Sequence, residues 1–304
     1  MTDWAEGLAF PIFREVGGLW SVIFSLNPGL ALQTILSLDF MREAFLAGTV
    51  LSILAGLVGY FVVLRYQVFV IEALAHVTFT GALGAAVLGG HPLLGLFGVT
   101  TLVAIGMGLL SERSQAPLRD VAVGTLLAWV LGLGALFLSL YTATASSTQS
   151  HAGVSYLFGS ILGLQPFQAQ MTAGIGLVAI VILLVIARPL LFASLDPDVA
   201  IVRGVPVREL SLIFMVLVGL SVADAVPAVG ALLNSALLIT PAAIAQRLIA
   251  RPFIALFVSA GLALLFTWTG LILGFYFPLP IGFIISALAF VVYVLVIIIQ
   301  RFKV

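Results

Sequence analysis

The chain has 304 residues, of which 62% are hydrophobic and 8% charged, and its mean hydropathy is +1.29. Soluble domains carry roughly 25% charged residues, so the composition excludes an ordinary soluble protein and predicts a polytopic membrane protein. The formal net charge is zero and no basic patch with interleaved aromatics occurs, which gives no support to a nucleic-acid partner. Cysteine is absent, which excludes disulfides, thiolate catalysis and thiolate metal sites.

Residues 1–40 are predicted to form an N-terminal extension to a membrane domain at 41–304. The start of the chain carries Asp3 and Glu6 and lacks a positive region before an apolar core, which argues against a cleavable signal peptide. The uncharged run 16–38 is a further span, a re-entrant segment or an interfacial helix. Of these alternatives, we favour a span.

Nine later apolar runs are long enough to cross roughly 30 Å of hydrocarbon at about 1.5 Å per residue. They cover residues 44–64, 67–89, 92–110, 121–141, 169–187, 210–226, 229–247, 253–275 and 281–299. The predicted fold class is therefore an all-α transmembrane bundle of about nine spans, within a range of about eight to ten. The small residues Gly48, Ser52 and Gly56 recur every four positions and predict close helix packing.

The basic residues predict how these spans are oriented. If the C-terminus with Arg301 and Lys303 is cytoplasmic and the spans alternate, nearly every arginine after residue 40 falls on the cytoplasmic side. These are Arg65, Arg113, Arg119, Arg188, Arg203, Arg208, Arg247 and Arg251. Only Arg42 falls outside. This asymmetry fits the inner, cytoplasmic membrane of a prokaryote.

Glu72 and His76 put two transition-metal ligand types four residues apart in a run that is otherwise typical of a membrane helix. Four residues of helix turn through about 40°, so both side chains face the same way. Thr80 and Gly84 continue this row. Among the acidic residues, only Glu72 and Asp224 lie within or at the edge of an apolar run. Ionisable groups inside a bilayer are costly, which favours a functional role for both.

Imidazole with carboxylate suits Zn²⁺ or Mn²⁺, and the absence of cysteine with only five methionines argues against a Cu(I) path. Two such residues from each half of a dimer would give four ligands, as a tetrahedral zinc site requires. The alternative is that Glu72 and His76 hydrogen-bond to each other or to a neighbouring helix as packing groups. Three residues are weaker metal candidates. Asp224 is either an outer gate or a hydrated residue at the membrane interface. His91 and His151 lie in predicted outer loops, where they either receive the metal from a donor protein or are simply solvated.

Two joints on the predicted inner face have helical character. One begins at Asp196-Pro197 and stops at Gly204, and the other follows Pro241. Each is either a short cytoplasmic helix on which a motor domain could dock or a capped turn. The chain has no Gly-x-x-x-x-Gly-Lys-Ser/Thr loop for ATP and no HExxH or Ser/His/Asp arrangement, so it is not expected to be an enzyme.

A series of short motifs occurs in a recognisable order along residues 40–304. They are FVVLR (61–65), EALAH (72–76), DVAVG (120–124), YLFGSILG (156–163), LDPDVA (195–200), GVP (204–206), VGALL (229–233), TPAA (240–243) and PLPIG (278–282). Together they resemble the permease subunits of metal-ion ABC importers of the zinc and manganese type.

The resemblance implies the large-permease architecture of an ABC importer, with two permease copies, homodimeric or paired, in the lipid bilayer. It also implies two cytoplasmic ATPase subunits, which hydrolyse ATP, and an extracytoplasmic metal-binding protein that delivers the ion. This chain would then hold no cofactor, and the divalent metal would be its cargo. The family has an acidic residue, usually Asp, followed four later by His in the second core helix, thought to contact the ion. Glu72 and His76 occupy those positions.

By the same resemblance, the ATPase would dock on the segment 241–251, with 196–208 nearby. The residues expected to take part are Pro241, Ala242, Gln246, Arg247, Arg251, Asp196 and Asp198. Two other functional classes remain open. An ion-coupled secondary carrier would use Glu72 as a proton site and work without an ATPase, whereas in a non-transporting scaffold subunit the polar row on the second helix would be incidental.

Overall fold

A computed structural model of the protein describes residues 38–113, 116–144, 157–231, 233–276 and 279–301. Its regular elements in these ranges are all helical. They are α1 (Asp39–Leu64), α2 (Val68–Val87), α3 (Pro92–Arg113), α4 (Ala116–Thr144), a 3-10 turn (Ile161–Gly163), α5 (Pro166–Leu195), α6 (Pro197–Val202), α7 (Val207–Val229), α8 (Asn234–Leu248), α9 (Pro252–Tyr276) and α10 (Ile281–Arg301).

Eight of the described helices are long and apolar enough to cross a membrane, a count within the predicted range. They are α1, α2, α3, α4, α5, α7, α9 and α10, each at a predicted span. The run 229–247 differs from its prediction as a full span. Helix α7 continues to Val229 and ends at Gly230, whose φ of 93° stops the helix. Helix α8 then has only 15 residues, about 22 Å, which is shorter than the hydrocarbon core. The run 16–38 lies outside the described residues.

The chain divides into two compact units, residues 1–42 and 43–304. In the first unit, the structure describes only the residues from 38 onward, including the start of α1. In the second unit, α2 packs against α3 and α4, α7 packs against α3 and α5, and α8 packs against α9 and α10. Helices α2 and α7 are largely buried, and they also contact each other. The polar residues His76 and Thr80 of α2 and Asp224 of α7 therefore lie inside the bundle.

Helix α1 approaches its neighbours closely at small residues, which confirms the packing predicted from their spacing. A Cβ at Gly56 would lie 2.6 Å from the Cα of Ala260. The Ser259 hydroxyl donates to the Gly56 carbonyl at 2.7 Å. One turn farther along, a Cβ at Gly59 would overlap the carbonyl oxygen of Leu238 on α8. Helix α1 thus lies backbone to backbone against α8 and α9.

Arg65 joins three helices at their predicted cytoplasmic ends. Its Nε donates to the Ser194 hydroxyl at 2.8 Å, and its Nη1 donates to the Ser211 hydroxyl at 3.2 Å. The guanidinium also lies over the Phe214 ring, 5.2 Å from the ring centroid. Burial lowers the pKa of Arg65 to about 10, so the side chain stays charged at neutral pH. Arg65, which marks orientation in the sequence, therefore also fixes α1 against α5 and α7.

Candidate functional site

The predicted pair on α2 is brought together by one turn of helix. The distance between His76 Nε2 and Glu72 Oε1 is 3.4 Å. His76 is 8% exposed, whereas the Glu72 side chain keeps 35% of its surface accessible. Glu72 lies in the second turn of α2, which starts just after the turn that carries Arg65 at the predicted cytoplasmic side. The carboxylate therefore keeps accessible surface, while the imidazole is held inside the bundle.

The start of α8 adds polar groups beside this pair. The Ser235 hydroxyl lies beside the Glu72 carboxylate. The preceding residue, Asn234, is fully buried, and its side-chain oxygen and nitrogen have no hydrogen-bond partner among the described residues. Sequence reasoning missed both residues because they lie in the run read as a span. Their signal was two adjacent polar residues within that apolar run.

The rest of the polar row on α2 serves helix packing. The Thr80 hydroxyl donates to the Val130 carbonyl on α4 at 3.1 Å. Gly84 leaves room for the Phe137 ring, whose nearest atom would lie 3.1 Å from an added Cβ. These contacts explain small residues at both positions. Among the groups described, the row therefore presents ligand atoms only at Glu72 and His76.

The other metal candidates lie apart from this pair. Asp224 is buried on α7, where it lines a separate cavity of about 260 Å³. His91 is exposed before α3, and its Nδ1 accepts a hydrogen bond from the Leu93 amide at 3.3 Å. His151 lies outside the described residues. In the ranges that the structure covers, no three His, Asp or Glu side chains are grouped so that they could hold a metal ion. Glu72 and His76 thus bring together two possible ligand groups, fewer than a complete metal site needs.

The predicted docking residues differ in their accessibility. Pro241 and Ala242 are buried in α8, and Gln246 donates to the Tyr60 carbonyl at 2.9 Å. The exposed members are Asp196, Asp198, Arg247 and Arg251. Asp196 begins α6 by accepting a hydrogen bond from the Val199 amide at 3.1 Å. Helix α6 also exposes apolar side chains, namely Val199 (42%), Ile201 (60%) and Val202 (87%).

Comparison with known proteins identifies the family. Residues 37–300 match the model of the ABC 3 transport family. An uncharacterised membrane protein of Synechocystis sp. is 31% identical, over 87% of this chain and 92% of its own length. The manganese transport system membrane protein MntC of Halalkalibacterium halodurans is 30% identical over 80% of each chain.

A solved structure agrees with this assignment. A chain of PsaBC from Streptococcus pneumoniae in complex with Fab superposes with a TM-score of 0.76 and 26% identity, covering 89% of this chain and 95% of that one. The resemblance predicted from the motif order is thereby confirmed. The chain therefore belongs to the ABC 3 transport family and is a membrane subunit of a transporter rather than an enzyme.

Proposed function

We propose that this chain is the permease subunit of an ATP-driven importer that carries a divalent transition metal, Mn²⁺ or Zn²⁺, into the cytoplasm. The observation that carries the proposal is the Glu72–His76 pair, 3.4 Å apart on the largely buried helix α2. Family membership supports it, and the name of the MntC relative favours manganese. The proposed setting is the cytoplasmic membrane of a prokaryote, with two permease copies fed by an extracytoplasmic metal-binding protein.

The ligand set suits an ion that must be released again. One carboxylate, one imidazole and the Ser235 hydroxyl are fewer groups than a closed structural site uses. Both Mn²⁺ and Zn²⁺ accept such ligands, so these groups alone do not select between them. A second permease copy would supply further ligands. An incomplete site in each chain therefore fits transport better than storage.

The ATPase partner is proposed to dock on a surface formed by α6 with Arg247 and Arg251. Helix α6 is too short to cross a membrane and joins the predicted cytoplasmic ends of α5 and α7. It exposes Val199, Ile201 and Val202 beside the charged Asp196 and Asp198. Neighbouring exposed apolar side chains with a charged rim are typical of a protein–protein contact.

Val202→Asp is expected to weaken ATPase binding at least tenfold, because it puts a charge in the most exposed apolar position of α6. The measurement is co-purification of the ATPase with the permease, followed by titration of the purified subunits. Leu88→Asp puts the same charge at an apolar position that is 84% exposed at the predicted outer end of α2, on the opposite side of the bundle. It is the control and is expected to bind normally. Wild-type binding by Val202→Asp would contradict this docking surface.

Metal accumulation in cells that co-express this chain and its ATPase tests the proposed function. Uptake of Mn²⁺ or Zn²⁺ is expected to require the intact ATPase and to stop with a hydrolysis-dead partner. Uptake that survives the dead ATPase would instead favour the ion-coupled secondary carrier. Absence of uptake in every combination, with both subunits correctly assembled, would favour the scaffold. Parallel measurement of both metals identifies the cargo.

A further inference from the structure

Asp224 is a buried carboxylate whose polar neighbour, the Thr172 hydroxyl, is not placed for a well-formed hydrogen bond. It is 1% exposed, and neither carboxylate oxygen is hydrogen-bonded within the described part of the chain. Thr172 on α5 faces it, and a Cβ added at Gly176 would lie 3.3 Å from its Oδ2. A carboxylate held in this way inside a membrane bundle is unfavourable unless something else meets it.

The carboxylate lines a cavity that belongs to the predicted outer side of the protein. The walls come from the first turns of α3 (Leu93, Phe97), the first turns of α5 (Gln168, Thr172) and the joint before α5 (Ser160). The starts of α3 and α5 are the ends opposite the arginine-rich face. The cavity is therefore on the side from which an imported ion arrives.

Asp224 lies outward of the Glu72–His76 pair. Its neighbour Ala223 belongs to one buried cluster with Ala82 and Leu96, and Ala82 is six residues, or about 9 Å of helix, beyond His76 along α2 towards the predicted outer face. Between the two levels, Ser221 lies three residues before Asp224 on the same face of α7, and its hydroxyl also has no partner among the described residues. The Asp224 and Ser221 oxygens thus form a series that leads from the cavity towards Glu72 and His76.

We propose that Asp224 is the centre of an outer cation-binding station, which the ion occupies before it reaches Glu72 and His76. This inference rests on the proposed import function. The donors are oxygens, namely the Asp224 carboxylate and the Thr172 hydroxyl, whereas the Gln168 side-chain carbonyl in the cavity wall already accepts a hydrogen bond from the Gln165 amide at 3.3 Å. An all-oxygen set favours a hard divalent ion such as Mn²⁺ over Zn²⁺, which prefers nitrogen and sulfur ligands. The ion would then acquire its nitrogen ligand only at His76.

Equilibrium binding of ⁵⁴Mn²⁺ to the purified permease–ATPase complex in lipid nanodiscs, without nucleotide, tests this station. The Glu72→Gln, His76→Ala double variant is expected to retain Mn²⁺ binding, and adding Asp224→Asn is expected to weaken it at least tenfold. Competition with Zn²⁺ reports the ligand type, and binding to the double variant is expected to prefer Mn²⁺. The proposal is overturned if the double variant binds no Mn²⁺ or if Asp224→Asn leaves its binding unchanged.

Two further variants separate ligand loss from misfolding. Asp224→Glu keeps the carboxylate and is expected to keep binding, while Thr172→Val removes one oxygen at nearly constant shape and is expected to weaken binding severalfold. If Thr172→Val has wild-type affinity and Asp224→Asn does not assemble, the carboxylate is structural and the station is rejected. If uptake does not depend on Glu72 while Mn²⁺ still binds at Asp224, the proposed role of the Glu72–His76 pair is rejected and the outer station is retained.

Discussion

Metal uptake is expected to fall about 100-fold when Glu72 is replaced by Gln, since even groups that only support a metal ligand contribute 10–100-fold. Gln preserves size and the contact with Ser235 but removes the charge that an arriving cation needs. His76→Ala is expected to have a comparable effect, because it removes the nitrogen ligand 3.4 Å from the carboxylate. The measurement is the initial rate of Mn²⁺ and Zn²⁺ uptake at matched amounts of membrane protein.

Thr80→Val is the matched control, because Thr80 lies on the same face of α2. Its hydroxyl is already occupied by the Val130 carbonyl, so its loss is expected to leave uptake within about twofold of wild type. Glu72→Asp, which restores the residue usual in the resembled family, is expected to retain uptake. Wild-type rates in both Glu72→Gln and His76→Ala would mean that the pair only packs the helix.

Gly59→Ala is expected to destabilise the bundle by about 3 kcal/mol, at the upper end of overpacking effects. The added methyl group would overlap the Leu238 carbonyl, which is backbone and cannot move without shifting α8. Helix α8 carries Ser235 beside Glu72, so the shift would also disturb the candidate site. The measurement is the fraction of monodisperse protein after heating in detergent.

Gly261→Ala on α9 is the control for this substitution. A Cβ at Gly261 meets nothing within 4 Å, so no clash is introduced. Ala is also the better helix former by about 1 kcal/mol, which makes a neutral or slightly stabilising effect the expected result. Equal heat tolerance of Gly59→Ala and Gly261→Ala would show that α1 and α8 are packed less closely than the structure describes.

The spans were predictable because a helix must satisfy its own backbone in lipid, which makes length and apolarity sufficient. That rule fails for residues 229–247, where the sequence stays apolar although the helix is interrupted between α7 and α8. Gly230 ends α7 there through a positive φ, and the buried Asn234 begins α8 inside the bundle. Hydropathy measures composition rather than continuity, so the run appears as one span.

In the candidate site, too, residues placed by local helix geometry were predictable and residues placed by packing between helices were not. Glu72 and His76 were found because their geometry is local, fixed by four residues of helix. Ser235 and Thr172 could not be found, because each meets its carboxylate only through the packing of α8 on α2 and of α5 on α7. Pro241 was expected at a docking surface, yet its burial depends on how α8 packs against α9 and α10.

The early start of α8 has an electrostatic consequence for the ion. Its first turn lacks a side-chain cap, and its second residue touches Glu72. The N-terminus of a helix carries roughly half a positive elementary charge, which is poorly screened inside a bundle. This field repels any cation at the depth of the pair. At the proposed metal site, the Glu72 carboxylate would offset this repulsion, so its negative charge would matter even before it contributes a ligand.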